Sequence, residues 1–334
     1  MRIGLAGTGR IGAFHASTLA ALEDVEQIVV TDALPEGAAR LAEENGYEFS
    51  PDLGDLLPRV DAVVITTSTS GHAPTIRAAV AAKVPVFCEK PVAVTLAETL
   101  ELVHLVHEAE VPVQIGFQRR FDAGYQRARE AVVSGELGFL HTVRANTHDQ
   151  SPPPAAYIPT SGGLFRDCSI HDFDVLRFVT GREVASVYAV GANKGASFFT
   201  EGGDVDTGAA VLMLDDGTLV TVSATRYNGG GHDVRMEVMG SKGTIGVGYD
   251  DSLAVLSAEA GVDYPRGPQK WSFMERFLPA YRTELAAFCD VVGGRLANPC
   301  TVTDALEAFR VAEACEISRA TGRPVQMCEI GGAT

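Results

Sequence analysis

Three groups of residues in this chain have the types and spacing to do chemistry. Gly7-Thr8-Gly9-Arg10-Ile11-Gly12 fits G-x-G-x-x-G. In that pattern the first glycine allows a tight turn, the second leaves room for a pyrophosphate against the backbone, and the third admits close helix packing. An apolar run over residues 3–6 precedes it and a helical pattern over 13–22 follows, so a phosphate would meet the positive end of a helix. Asp32 follows a second apolar run, 27–30. A carboxylate at that distance accepts bonds from a ribose diol and repels a 2′-phosphate, which favours NAD over NADP. The other reading of Asp32 is a cap for a helix that begins near Leu34-Pro35.

Glu89-Lys90-Pro91 closes the apolar run 84–88, at the carboxyl edge of the inferred sheet, where open α/β folds bind ligands. A lysine there hydrogen-bonds a substrate hydroxyl and favours an alkoxide; a solvated ion pair with Glu89 is the plainer alternative. In the third group, Asp167-Cys168-Ser169-Ile170-His171-Asp172-Phe173-Asp174, helical spacing puts Asp167 and His171 one turn apart, and Asp174 continues that face. A carboxylate so placed tunes an imidazole for proton exchange with an alcohol. A solvated helix face is the alternative, and a metal site a third, although no nearby Cys or second His completes a ligand set. His72, His148 and His232 fall in expected loops or loop edges, where exposure is the ordinary explanation. No G-x-S-x-G frame surrounds Ser151, Ser161 or Ser169, so a serine hydrolase has no support.

The elements that must position these groups follow from length and pattern. The chain has 334 residues, enough for two domains. Its 27 basic against 43 acidic residues leave a net charge of −16, which argues against a nucleic-acid partner. Six scattered cysteines form no disulfide framework or zinc motif and read as reduced, mostly buried thiols. No apolar run is long enough for a membrane span, and no signal-peptide pattern opens the chain, so a cytoplasmic location is expected. Up to about residue 120, strand-like runs at 3–6, 27–30, 61–66, 84–88 and 111–115 alternate with helical stretches near 34–44, 75–82 and 95–108. That alternation predicts an α/β domain with a parallel sheet covered on both faces. Beyond it, the pairs 209–214 with 219–224 and 235–239 with 244–247 flank glycine turns and predict antiparallel hairpins. Helices are expected over 163–180, 280–292 and 302–321. The expected domains are therefore 1–120 and 121–334, the second an α+β unit with a mostly antiparallel sheet.

Taken in order, the glycine motif, Asp32, Glu89-Lys90-Pro91, Gly116-Phe117-Gln118-Arg119-Arg120-Phe121-Asp122, Gly162-Gly163-Leu164-Phe165-Arg166-Asp167 and His171-Asp172-Phe173-Asp174 resemble the glucose-fructose oxidoreductase, inositol dehydrogenase and MocA (Gfo/Idh/MocA) family. Arg119-Arg120-Phe121-Asp122 and Ser161-Gly162-Gly163 resemble its inositol 2-dehydrogenase branch. The resemblance implies an N-terminal Rossmann domain, a doubly wound parallel sheet that binds NAD. It also implies a C-terminal domain whose open sheet serves dimer or tetramer assembly, with the active site between the two. Carried over by position, Lys90, Asp167 and His171 are the catalytic residues. Thr67, Ser68, His72, Glu89, Lys90 and Gln118 join Gly7 to Gly12 and Asp32 on the cofactor. Arg119, His148 and His232 join the catalytic three on the substrate. The implied reaction is NAD-dependent oxidation of a secondary hydroxyl on a ring polyol, an inositol, cyclitol, sugar or glycoside, with His171 taking the hydroxyl proton. Alternatives are an aminocyclitol or aminoglycoside dehydrogenase, an NAD-retaining glycosidase or epimerase, and a non-catalytic NAD sensor. One departure bears on substrate choice: His232-Asp233-Val234-Arg235 stands where inositol dehydrogenases commonly have Tyr-Asp-Gln-Arg.

Overall fold

The computed structural model describes residues 1–262 and 267–331. The chain divides into two compact units: Met1–Gln118 with Pro279–Leu306, and Arg119–Leu278 with Glu307–Thr334. In the first, β1 (Arg2–Ala6), β2 (Gln27–Thr31), β3 (Glu48–Phe49), β4 (Ala62–Ile65), β5 (Val86–Glu89) and β6 (Val113–Gly116) form one parallel sheet in the order β3-β2-β1-β4-β5-β6. Its central strands are short apolar runs because helices leave neither face to solvent. Strand order reverses between β1 and β4, which opens a crevice at their carboxyl ends. Ile3, Leu5, Val30, Val64 and Phe87 form the core with Leu285 and Phe288.

Those last two residues belong to Pro279–Leu306, a segment that the linear partition at residue 120 does not assign to this unit. The apolar spacing around Leu285 forecasts a helix, but not that Phe288 packs on Phe87 with ring centroids 5.8 Å apart. A second difference concerns the helix expected over 75–82, which begins at Thr69. Pro74 reads as a helix start, yet the helix runs through it and takes in His72.

The second unit contains β7 (Leu140–His148), β8 (Val184–Ala192), β9 (Thr207–Leu214), β10 (Leu219–Thr225), β11 (Asp233–Gly240), β12 (Thr244–Val247) and β13 (Val325–Gln326), in the order β12-β11-β7-β10-β9-β8-β13. Both expected hairpins are present, β9 with β10 and β11 with β12. The strands β7 and β8 are additions to the expected set, and β7 pairs with β10 in parallel, His148 opposite Thr225. Residues alternate between the two faces. One face meets the turn at Phe165–Ser169 and the helix Ile170–Thr180. The other leaves Tyr188, Val190, Val211, Met213 and Leu219 exposed. Among the described residues no helix is long and apolar enough to cross a membrane.

Two buried ion pairs fasten the helix Ile170–Thr180. Arg119 donates to Asp172 at 2.5 Å and to the Thr147 hydroxyl at 2.8 Å. Arg120 meets the Asp174 carboxylate through bonds of 2.7–3.1 Å. Both acids are fully buried, and removing one partner strands a charge in a medium that solvates it poorly. Asp174→Asn should therefore lower unfolding free energy by about 3–5 kcal/mol, whereas Arg120→Met combined with Asp174→Leu should recover most of that loss. Urea denaturation followed by circular dichroism checks this; equal losses in the single and double variants would contradict the stranded charge.

Candidate active site

The glycine turn is shaped by steric exclusion. Gly7 has φ +101, which L side chains rarely adopt, and a Cβ there would lie 2.5 Å from the Thr67 nitrogen. At Gly12 a Cβ would lie 2.0 Å from the Gly7 oxygen, whereas at Gly9 it would meet nothing within 4 Å. The Thr66 hydroxyl donates to the Gly7 carbonyl at 2.7 Å and fastens the turn to the end of β4. The helix Arg10–Ala20 begins at Gly9 with no side-chain cap and no acidic residue in its first turn. Open space above Gly9 and an uncapped, positive helix end suit a pyrophosphate. Thr8 flanks that space, and Arg10 and Ile11 open the helix.

Asp32 stands at the crevice beside the turn. It accepts the Thr8 N–H at 2.6 Å, the Thr8 hydroxyl at 2.9 Å and the Leu34 N–H at 2.9 Å. Burial pulls its pKa up, but the bonds from Leu34 and Thr8 outweigh it and hold the carboxyl below its ordinary range. The N-cap of the helix Pro35–Asn45 is Leu34, which has no side-chain cap bond. Asp32 therefore ties the glycine turn to the loop before that helix, and its carboxylate retains acceptor capacity for a diol.

Two histidines of this unit are buried rather than exposed in loops. His72 lies in the helix Thr69–Ala81, its Nδ1 2.7 Å from the Pro91 carbonyl and its Nε2 3.0 Å from the Thr67 carbonyl. It thereby fixes the segment after Lys90, which meets Pro91 through a cis peptide bond, against residues 67–68. Placed between these two carbonyls, His72 sets the shape of this edge. Ser68 is exposed and Thr67 half-buried. His15, which the sequence pattern did not single out, puts Nε2 2.6 Å from Glu89 Oε1 among the rings of Phe87 and Tyr281. The other Glu89 oxygen accepts the Lys90 backbone N–H at 3.3 Å. The signal for His15 was its place one turn beyond Gly12 on the glycine helix. Gln118, at the end of this unit, is buried with its amide oxygen unpaired among the described residues.

In the second unit the expected α-helical face is interrupted. Phe165–Ser169 is a π-helical turn and the α-helix starts at Ile170. Asp167 and His171 are both half-buried. Asp172 and Asp174 are not a solvated face: they pair with Arg119 and Arg120, and Arg119 is itself buried. The Asp167 carboxylate accepts the Tyr157 hydroxyl at 3.0 Å and the Arg226 guanidinium at 2.5 Å. Arg226 also donates to Asp149 at 2.9 Å, and the other Asp149 oxygen lies 3.4 Å from His232 Nδ1. Burial raises the Asp149 pKa, but His232 and Arg226 more than offset it and hold it at about 2. His148 ends β7 with Nε2 2.9 Å from the Ser223 hydroxyl, and burial lowers its pKa against the pull of Asp233. The structure thus groups Asp167 with His232 through Asp149 and Arg226, and brings in Tyr157. None of these last three carried a signal: the contacts of Arg226 with Asp149 and Asp167 span 77 and 59 residues, and Tyr157, only 10 residues from Asp167, sits in a loop with no helical or strand spacing to it.

Residues 1–117 match the family described as "Oxidoreductase family, NAD-binding Rossmann fold", and residues 125–246 match the "GFO/IDH/MocA C-terminal domain". Myo-inositol dehydrogenase Hyg17 of Streptomyces leeuwenhoekii is 39% identical, over 96% of this chain and 98% of that protein. Myo-inositol 2-dehydrogenase of Thermotoga maritima is 35% identical, over 99% of this chain and 100% of its own length. The crystal structure of scyllo-inositol dehydrogenase from Lactobacillus casei with bound NAD(H) and scyllo-inositol superimposes with a TM-score of 0.88, at 29% identity over 98% and 99% of the two chains. With both halves of the chain matched and relatives aligned from end to end, this protein belongs to the Gfo/Idh/MocA oxidoreductase family.

Proposed function

We propose that this member of the family oxidises a secondary hydroxyl of a ring polyol, with an inositol or a related cyclitol as the substrate class. That it is an NAD-dependent dehydrogenase acting on CH–OH donors follows from its family and relatives. The observation that supports the ring is the end-to-end likeness to enzymes named for myo- and scyllo-inositol. The residues that would hold NAD are the turn Gly7 to Gly12, with its open space at Gly9, and Asp32 on the ribose diol; Thr67, Ser68, Glu89, Lys90 and Gln118 complete the nicotinamide side. NAD supplies the hydride acceptor when bound. The chain's own residues handle the proton and the developing charge. His171 takes the hydroxyl proton, Asp167 steadies the imidazolium so formed, and Lys90 donates to the hydroxyl oxygen and favours its alkoxide. His148 and His232 bond ring hydroxyls. An imidazole at 232 in place of a phenol gives the pocket a shorter polar group held by Asp149, which we take as the feature that selects among rings.

We also assign the open face of the second sheet to assembly of a dimer or tetramer. Tyr188 lies opposite Val211 and Met213 opposite Leu219, a contiguous apolar patch of a kind that monomers rarely expose. The six free thiols, five of them buried, suit a reducing compartment, which is where we place the protein.

His171→Ala should lower kcat on the order of 100-fold or more and leave NAD affinity near wild type; steady-state rates beside a cofactor titration check it, and an unchanged kcat removes the general base. Asp32→Ser should weaken NAD and raise the relative use of NADP by about tenfold, one lost charge contact. An unchanged cofactor ratio would deny Asp32 its place on the diol. Val211→Asp should shift sedimentation toward the 35.3 kDa chain, and a wild type that already sediments as a monomer would refute the assembly face.

A further inference from the structure

Arg226 is a buried charge of the second unit that bridges two carboxylates, and no step above uses it. The parallel register of β7 and β10 sets His148 opposite Thr225, so the next residues, Asp149 and Arg226, leave the sheet side by side. Backbone bonds fix both: Asp149 N–H donates to Thr225 and its carbonyl accepts from Asn228, while Arg226 N–H donates to Asp206. The side chain then forks, one nitrogen to Asp149 and the other to Asp167. Arg226 is 4% exposed. We propose that Arg226 is a positioning residue for the reaction, keeping Asp167 ionised and correctly aimed by shielding it from Asp149. This rests on the reading that Asp167 steadies a charged His171.

The physical ground is like-charge repulsion. Without the guanidinium, Asp149 and Asp167 would be two carboxylates sharing one partly buried site, and such a pair takes up a proton at higher pH than either acid alone. A protonated Asp167 no longer stabilises an imidazolium. Asp167 is bonded by Arg226 from the end of β10 and by Tyr157 from the turn Ala155–Tyr157, and His171 belongs to its own segment; Asp149, on the other arm of Arg226, is approached by Cys168 Sγ at 3.4 Å and by His232 Nδ1 at 3.4 Å. Tyr157 is a neutral donor, its pKa raised by burial and by Asp167. Arg226 thus sets a permanent positive charge against Asp167, and a lysine in its place would offer one point charge where the fork now serves two carboxylates.

The test is the pH dependence of kcat/KM for the polyol in four proteins: wild type, Arg226→Met, Arg226→Lys, and Arg226→Met combined with Asp149→Asn. Arg226→Met should lose on the order of 10- to 100-fold in kcat/KM, with the acid limb moved up by about one pH unit. Arg226→Lys should move the limb in the same direction by less. The double variant should bring the limb back toward wild type and recover part of the rate, because the repelling charge is gone. A merely structural arginine predicts the reverse, a double variant no better than the single. An acid limb unmoved in Arg226→Met, or in Arg226→Lys should the methionine variant fail to fold, overturns the proposal. A wild-type rate that survives His171→Ala overturns the underlying reading, and this proposal with it.

Discussion

The constraint on which the second unit depends is that a buried charge must have a partner. Arg119, Arg120 and Arg226 all lie in the interior, and each is met by aspartates: Asp172, Asp174, and the pair Asp149 and Asp167. Replacing these pairs with apolar residues need not weaken the fold, so their cost is repaid in orientation. The first two fix the helix that carries His171 by its third and fifth residues, Asp172 and Asp174. The third fixes the acid proposed to work beside it. In the first unit the equivalent constraint is steric. Gly7 and Gly12 leave no room for a side chain where backbone meets backbone, and Gly9 leaves empty space beside the helix end.

These two constraints differ in how far they can be read from a sequence. The glycine turn is local: strand, turn, helix and acid fall within a few tens of residues, and the sheet order and the Asp32 contacts agree with that reading. Lys90, Asp167 and His171 gave only weak signals as residue types, and it was their order along the chain, shared with a family, that joined them. The partners of Asp167 were illegible. Arg226 is 59 residues away and Asp149 is 77 residues from Arg226, and they meet only because β7 and β10 pair in parallel. A strand at Leu140–His148 was not expected, although the alternation of Thr142, Arg144 and Asn146 with Val143 and Ala145 and the turn at Gly138 carry the signals of one; its partners β10 and β11 lie far along the chain, so no hairpin marked it. The acids Asp172 and Asp174 misled for the same reason: charged residues read as a solvated face until their arginines are placed.

The same contrast divides cofactor from substrate. The features that suit NAD are backbone features, a positive φ and an uncapped helix end, and they vary little in what they can hold. The features that would select the ring are side chains, His148, His232 and Asp149, mounted at the ends of β7 and β11. One change there, from a phenol to an imidazole supported by a carboxylate, alters the pocket without disturbing the sheet.

The central claim is oxidation of a ring hydroxyl with net transfer of hydride to NAD. Its most direct test is the reduced-nicotinamide absorbance of the wild-type protein with NAD and, in turn, myo-inositol, scyllo-inositol, other cyclitols, aminocyclitols, aldoses and glycosides. The expected result is steady growth of the band with at least one cyclitol, saturating in substrate and exceeding the rates with open or glycosidic sugars. A flat trace with every ring, from protein that demonstrably binds NAD, would contradict it.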